Sequence, residues 1–209
     1  MKQYIKDLLL AITAGIIISI SCIAFLSIPN KIIGSILFSA GLFTILNFKL
    51  NLFTGKAHYI CKSNFKYCIF MLIIWLGNFI GVILTSSVIR YSRIYNKIIF
   101  ECTEIANTKV SDNLVSLFIL SVFCGILMCL SVETFKQLET TNILSANLII
   151  IFYISIFIQA GFEHCIADMF YFTLALPINK WVLPLIIITL GNTLGGNIFY
   201  LIINMKEGS

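Results

Sequence analysis

Charge is scarce. Only 11% of the 209 residues are Asp, Glu, Lys or Arg, while 59% are hydrophobic, and a soluble domain of that balance would have too little polar exterior to face water. Extended polar stretches are missing as well, so no soluble domain is expected beside the apolar ones. No Gly-x-Ser-x-Gly or His-Glu-x-x-His motif occurs, and the only two histidines, His58 and His164, lie far apart in the chain; this argues against intramembrane enzymatic chemistry. The seven cysteines fall mostly within apolar stretches, none at Cys-x-x-Cys or metal-finger spacing, and read as small buried hydrophobes. No metal, cofactor or nucleic-acid partner is expected.

What the chain does have is apolar length. Stretches suited to crossing roughly 30 Å of hydrocarbon recur six times, at approximately 8–28, 32–53, 68–89, 114–132, 143–176 and 182–203. The reading is an all-α integral membrane protein with six transmembrane segments in one domain, 1–209. The opening MKQYIKDLLLAITAGIIISIS has too long an apolar part for a signal peptide, with no small-residue cleavage site after it, and reads as the first span. With both ends on one side, Lys2, Lys6, Lys56, Lys62, Lys66, Lys136 and Lys206 stand against Lys31, Arg90, Arg93, Lys97, Lys109 and Lys180. That near balance leaves orientation open.

Two segments are interrupted. The second runs apolar to Leu46, meets Asn47, Lys49 and Asn51, and resumes as LFTG; the fifth exceeds thirty residues and carries a polar cluster in its middle. Non-helical backbone at membrane depth is tolerated only where protein or a wet cavity satisfies its polar groups, so two breaks point to a central pathway. The third and sixth segments share a phrase, WLGNFIG and TLGNTLGG, whose pairs Gly77–Asn78 and Gly191–Asn192 lie 114 residues apart. We read this as an internal repeat with halves near 5–95 and 110–205. Three crossings per half make the repeat inverted. The glycines offer close-approach faces, and the Asn amides are expected to bond carbonyls freed at the breaks.

The cluster lies in QAGFEHCIADMF, Gln159 to Phe170. On a helix His164 and Asp168, four apart, share a face, and Glu163 points elsewhere. Ionisable groups inside a span are costly and face a cavity or a partner. Either the cluster only holds helices together, with Glu163 accepting N–H groups at the break, or His164 serves transport. A weak acid of pKa near 3.5 is protonated at pH 7 for about 5 kcal/mol, whereas a bare anion in an apolar neck costs several kcal/mol at least and ideally about 20. A histidine beside such a neck is suited to lend a proton and recover it.

The same residues carry a resemblance. AGFEHCIADMF is similar to the signature of the formate/nitrite transporter family, usually written G-F-E-H-x-x-A-N-M-F, and LFTG at 52–55 resembles that family's second-segment break. Ala14–Gly15, FSAGL at 38–42, LGNFIG, CGILMCLSV at 124–132 and LGNTLGGNIFY extend the likeness over nearly the whole chain. The resemblance implies an aquaporin-like inverted repeat with broken second and fifth helices. It also implies a homopentamer in the lipid bilayer of the cell membrane, one pore per protomer, both termini cytoplasmic, and passage of formate, nitrite or hydrosulfide. Carried over by motif, His164 is the pore histidine and Thr54 the hydroxyl facing it; Phe38, Leu42, Leu52, Phe53 and Phe157 match apolar constrictions, with Met128 where valine is usual. Lys109 matches a lysine that draws anions in or biases the histidine's charge.

Several positions depart from the family pattern. Asp168 stands where the family has Asn; ionised and facing a pore it would repel an anion, while paired with His164 it would form a near-neutral couple. Asn51 replaces an acidic residue before LFTG, so Asn51 and Asp168 look like a charge swap. Gly125 replaces an Asn that helps bind the anion, which implies a missing donor and a larger cavity. Lys49 has no family role and would either neutralise Asp168 or snorkel outward. The amino tail is short for a gating segment. The expected function is a channel for a small monovalent weak-acid anion, with proton-linked permeation through His164. The alternatives are a neutral small-solute channel of aquaporin-like fold and a non-transporting membrane structural or sensor protein.

Overall fold

The computed structural model describes residues 2–205, all helix and connecting turns among them. Lys206 and the side chain of Lys2, both counted in the charge comparison, lie outside what is described. The elements are α1 (Lys2–Ser27), α2 (Lys31–Asn47), a 3₁₀ turn (Ala57–Lys62), α3 (Phe65–Ile89), α4 (Arg93–Ser111), α5 (Leu114–Leu138), α6 (Ile143–Gln159), α7 (Cys165–Ala175), a second 3₁₀ turn (Ile178–Lys180) and α8 (Val182–Ile203). Four helices, α1, α3, α5 and α8, are long and apolar enough to cross a membrane. At 22 to 26 residues and about 1.5 Å per residue they reach beyond 30 Å. Helices α2, α6 and α7 are apolar but shorter.

Asparagine starts four of the helices. Asn30 accepts from the Ile32 and Ile33 amides, Asn64 from Tyr67, Asn113 from Ser116 and Asn142 from Ser145, each satisfying a donor the first turn leaves free. Helix α4 was not foreseen, because it is amphipathic rather than apolar. Its buried residues Ile98, Cys102 and Ala106 recur every four positions, a period visible in the sequence but outside a search for membrane spans.

Both interruptions are built alike. Helix α2 ends with Lys49 at φ 54° and the Leu50 amide bonded to the Ile45 carbonyl at 2.9 Å. Helix α6 ends with Gly161 at φ 71° and the Phe162 amide bonded to the Phe157 carbonyl at 3.0 Å. This is one stop signal used twice, a left-handed residue followed by a bond spanning five residues. Glycine takes that conformation freely; Lys49 takes it against its Cβ.

Two buried carboxamides then hold the chain beyond each stop. Asn78 Nδ2 donates to the carbonyls of Ala11 (2.7 Å) and Asn51 (2.8 Å), and its Oδ1 accepts the Phe53 amide (2.9 Å). Asn192 Nδ2 donates to Ser121 (2.9 Å) and Glu163 (2.7 Å), and its Oδ1 accepts the Cys165 amide (2.9 Å). Each Asn joins its own helix, its packing partner and the break. The partners sit close because glycine lets them: a Cβ on Gly81 would strike the Ile12 carbonyl, and one on Gly195 the Val122 carbonyl. The fold is thus α1 on α3 and α5 on α8, with α2 beside α6, and α7 on α3 while the 57–62 turn packs on α8.

Replacing Asn192 by Leu strands the Cys165 amide and the Glu163 carbonyl in the interior, at about 1–3 kcal/mol for each unsatisfied group. Asn192→Leu and Asn78→Leu should each lower stability by about 2 kcal/mol or more, read as loss of folded protein after heating in detergent. An unchanged melting profile for both would mean that the breaks are held by something else.

Candidate functional site

The two breaks meet at one hydrogen bond. Thr54 Oγ1 and His164 Nε2 lie 2.8 Å apart, both buried. His164 is also the N-cap of α7: its Nδ1 accepts the Ala167 amide at 3.2 Å. With Nδ1 acting as acceptor, the neutral ring carries its proton on Nε2 and donates it to the threonine oxygen. Phe157 stacks on the imidazole with ring centroids 5.6 Å apart, and Phe38 meets Phe157 edge-on at 6.0 Å.

A cavity of about 360 Å³ opens on this ring, lined in part by Phe38, Phe157, His164, Lys109, Glu163 and Asp168. Lys109, on the last turn of α4, places its ammonium between two carboxylates. It is hydrogen-bonded to Glu163 and lies 3.0 Å from Asp168 Oδ1. All three side chains are secluded, at 13%, 5% and 1% exposure for Lys109, Glu163 and Asp168. Asp168 stands in the first turn of α7, where free N–H groups favour negative charge. Its second oxygen, Oδ2, is buried and has no hydrogen-bond partner.

Leu52 and Gly55, near Thr54 in the chain, line a second cavity of about 300 Å³. Lys49, Lys56 and Lys136 line it too, against one carboxylate, Glu139. Beside it Glu133 gathers His58 Nε2 at 3.3 Å, the Tyr59 hydroxyl and Lys136. The sequence reading missed Glu133, Tyr59 and the role of Lys136. Glu133 and Lys136, three apart near the end of α5, were the available signal.

The structure rearranges several assignments. Asp168 pairs with Lys109 instead of His164, whose ring nitrogens are both engaged. Lys49 is exposed and lines the second cavity, away from Asp168. Glu163 gives its carbonyl to Asn192 and its carboxylate to Lys109, and so does not collect amides at the break. Gly125 widens no cavity: a Cβ there would strike the Asn192 carbonyl, so it is a contact of α5 with α8. Asn51 is bonded through its side chain to the Asp7 carbonyl at 3.1 Å and anchors the first break to α1. Leu42, Leu52, Phe53 and Met128 are buried.

Four helices long and apolar enough to cross a membrane, with a buried hydrogen-bonding pair near two cavities, define a multi-pass membrane protein. The sequence profile of the formate/nitrite transporter family matches residues 2–206, and the chain belongs to that family. It is similar to the formate channel FocA of Escherichia coli (strain K12), 23% identical over 255 aligned positions that cover 99% of this chain and 89% of FocA. FocA of Haemophilus influenzae (strain Rd) is 24% identical over 68% of this chain and 52% of its own length. Among solved structures, a pentameric formate channel with formate bound superposes with a TM-score of 0.84, 23% identity and coverage of 99% of this chain and 98% of that one. An ion channel of the same family gives 0.84, 18%, 98% and 91%. These relatives are channels rather than enzymes.

Lys109→Gln leaves two carboxylates facing each other in a dry site, and removing one partner of a buried ion pair costs about 3–5 kcal/mol. Lys31→Gln breaks the partly exposed pair with Glu101, worth about 0–1 kcal/mol. Thermal unfolding in detergent should separate the two clearly, and adding Glu163→Gln should recover much of the Lys109→Gln loss. Equal effects at Lys31 and Lys109 would contradict a buried cluster.

Proposed function

We propose that this chain is a channel for a small monovalent weak-acid anion, formate first and nitrite or hydrosulfide of the same class, whose passage is linked to a proton at His164. The carrying observation is the buried Thr54–His164 hydrogen bond, with a cavity opening toward it from α4 and another beginning at Leu52 and Gly55. Apolar side chains close the route on either side, Phe38 and Phe157 at the ring, and Leu42, Leu52, Phe53 and Met128 around it. A bare anion is poorly solvated there, so carrying it with a proton is the less costly route. Family membership and the formate channels among the relatives support the substrate class.

In this reading six segments cross the bilayer: α1, α2 with its break and the 57–62 turn, α3, α5, α6 with its break and α7, and α8. The halves, near 5–95 and 110–205, are inverted copies within one domain. The matching stops and the matching Asn78 and Asn192 bonds support that repeat. An even number of crossings puts both termini on one side, the cytoplasm. The pentameric relative supports a homopentamer with one pathway per protomer. Lys49, Lys56 and Lys136 gather anions at one mouth, while Lys109 spends its charge holding Glu163 and Asp168.

A neutral-solute channel is the second reading, favoured by the excess of carboxylates in the α4-side cavity. His164→Asn tests both, because an Asn oxygen still caps α7 and only the ring is lost. Formate flux into proteoliposomes should fall at least tenfold or lose its pH dependence, with assembly intact. An unchanged rate and pH profile would remove the histidine from the mechanism. Glycerol-driven swelling without formate flux in the unmodified protein would favour the neutral-solute reading.

A further inference from the structure

We propose that the cavity walled by Lys49, Lys56 and Lys136 is a binding site for a doubly charged phosphate group, and that the group occupies this mouth without passing through. The binding half stands on the cavity alone; the blocking half rests on the anion-channel reading above.

The two breaks share a register, and the comparison isolates what is unusual. Asn78 and Asn192 fix the correspondence: each holds a carbonyl, of Asn51 in one break and Glu163 in the other, together with the amide two residues on. Two residues before that carbonyl stand the left-handed Lys49 and Gly161, and five residues after it stand Lys56 and Asp168. Where the second break has a glycine and a carboxylate, the first has two lysines. Asp168 receives its counter-charge from within the chain, from Lys109 at 3.0 Å. Lys56, half-buried, receives none, and neither it nor Lys49 is in an ion pair among the described residues. Lys49 also keeps its left-handed turn against its own Cβ, where a glycine would be unstrained.

Both lysines line one cavity of about 300 Å³ with Lys136, whose ammonium is held over the Tyr59 ring, 4.4 Å from its centroid, and hydrogen-bonded to the Tyr59 hydroxyl. Lys136 is partly answered by Glu133 at 3.8 Å. Glu139 is the cavity's one carboxylate, exposed and in no ion pair among the described residues. Asp7 of α1 acts on Lys56 at longer range, but it makes no ion pair with it and accepts the Gln3 amide at 2.9 Å. A counter-ion from outside the chain is the remaining partner. Leu46, Leu50, Leu52, Val132 and Phe135 give the cavity apolar walls, beside which an ammonium attracts an anion more strongly than in open water. A formate-sized monoanion answers one free ammonium group; a phosphate monoester, with close to two charges and three acceptor oxygens, answers both. Leu52, 1% exposed, then stands in its way, because moving a dianion against a dry wall strips hydration from two charges. The group binds and stays. It arrives either as soluble phosphate or as the head group of a lipid phosphate monoester.

The test is equilibrium dialysis of radiolabelled inorganic phosphate against the detergent-solubilised protein at constant ionic strength, with dimethyl phosphate, a monoanion, as competitor. Binding should saturate at one phosphate per protomer, survive an excess of dimethyl phosphate, and weaken about tenfold or more in Lys56→Gln. Lys31→Gln, whose lysine pairs with Glu101 elsewhere, should bind as the unmodified protein does. Absence of saturable binding by the unmodified protein overturns the inference, as does displacement by equimolar dimethyl phosphate, and neither result needs a variant to assemble. Repeating the dialysis in nanodiscs separates the sources: phosphate binding lost in discs containing phosphatidic acid, but kept in phosphatidylcholine alone, assigns the site to a lipid head group, and binding kept in both assigns it to soluble phosphate. At a phosphate concentration equal to the measured Kd, formate flux into proteoliposomes should fall by about half; binding without any block overturns the second half of the proposal. Formate flux absent even without phosphate removes the transport reading and leaves the binding result standing.

Discussion

Everything at the centre of this protein hangs on two carboxamides. A helix that stops inside a bilayer leaves amides and carbonyls that neither lipid nor its own backbone can satisfy. Asn78 and Asn192 each take up two groups of a break, one amide and one carbonyl, and a carbonyl of the neighbouring helix, and each does so from a helix pressed against that neighbour at glycine contacts. The order of dependence runs from close helix packing to the position of the amide, and from the amide to the path of the break. Only then do Thr54 and His164, carried on different breaks, fall within a hydrogen bond of each other. A side chain at Gly195 would therefore disturb the site without lying in it.

Electrostatics divides the two cavities unevenly. One cavity holds an ammonium committed to two carboxylates; the other holds three lysines and a single carboxylate. Buried ion pairs contribute little net stability, since desolvation offsets their attraction, but their geometry fixes neighbours in place. Here Lys109 ties α4 to the break and to the first turn of α7, closing the cavity roof with an amphipathic helix. The same three charges thus fix the local geometry and set the charge balance of the cavity.

Much of this was legible in the sequence, and the failures have physical causes. The two stops were readable because Asn, Lys and Gly interrupt apolar runs, and the Gly-Asn pairs were readable because they recur. Helix α4 was missed since a search for apolar length is blind to a helix with one buried stripe, Ile98, Cys102 and Ala106. The partner of Asp168 was misjudged because spacing along one helix suggested His164, while the actual partner, Lys109, arrives from 59 positions away in sequence. Gly125 was assigned by motif to a cavity, but only three-dimensional packing reveals the Asn192 carbonyl in front of it. Local pattern reports periodicity and interruption; it does not report which charges converge.

The imidazole at the meeting point is constrained in a way that limits what it can do. Nδ1 accepts the Ala167 amide and thereby caps α7, so a proton placed on that nitrogen would expel the cap and expose a helix start to a positive charge. Nε2 faces Thr54. The Nε2 edge is thus the one left for exchange, and the threonine hydroxyl it meets can both accept from the ring and donate onward. Phe157, stacked against the ring, keeps it from turning away. A histidine held this way is a fixed donor to Thr54, and it fills that role as a neutral ring.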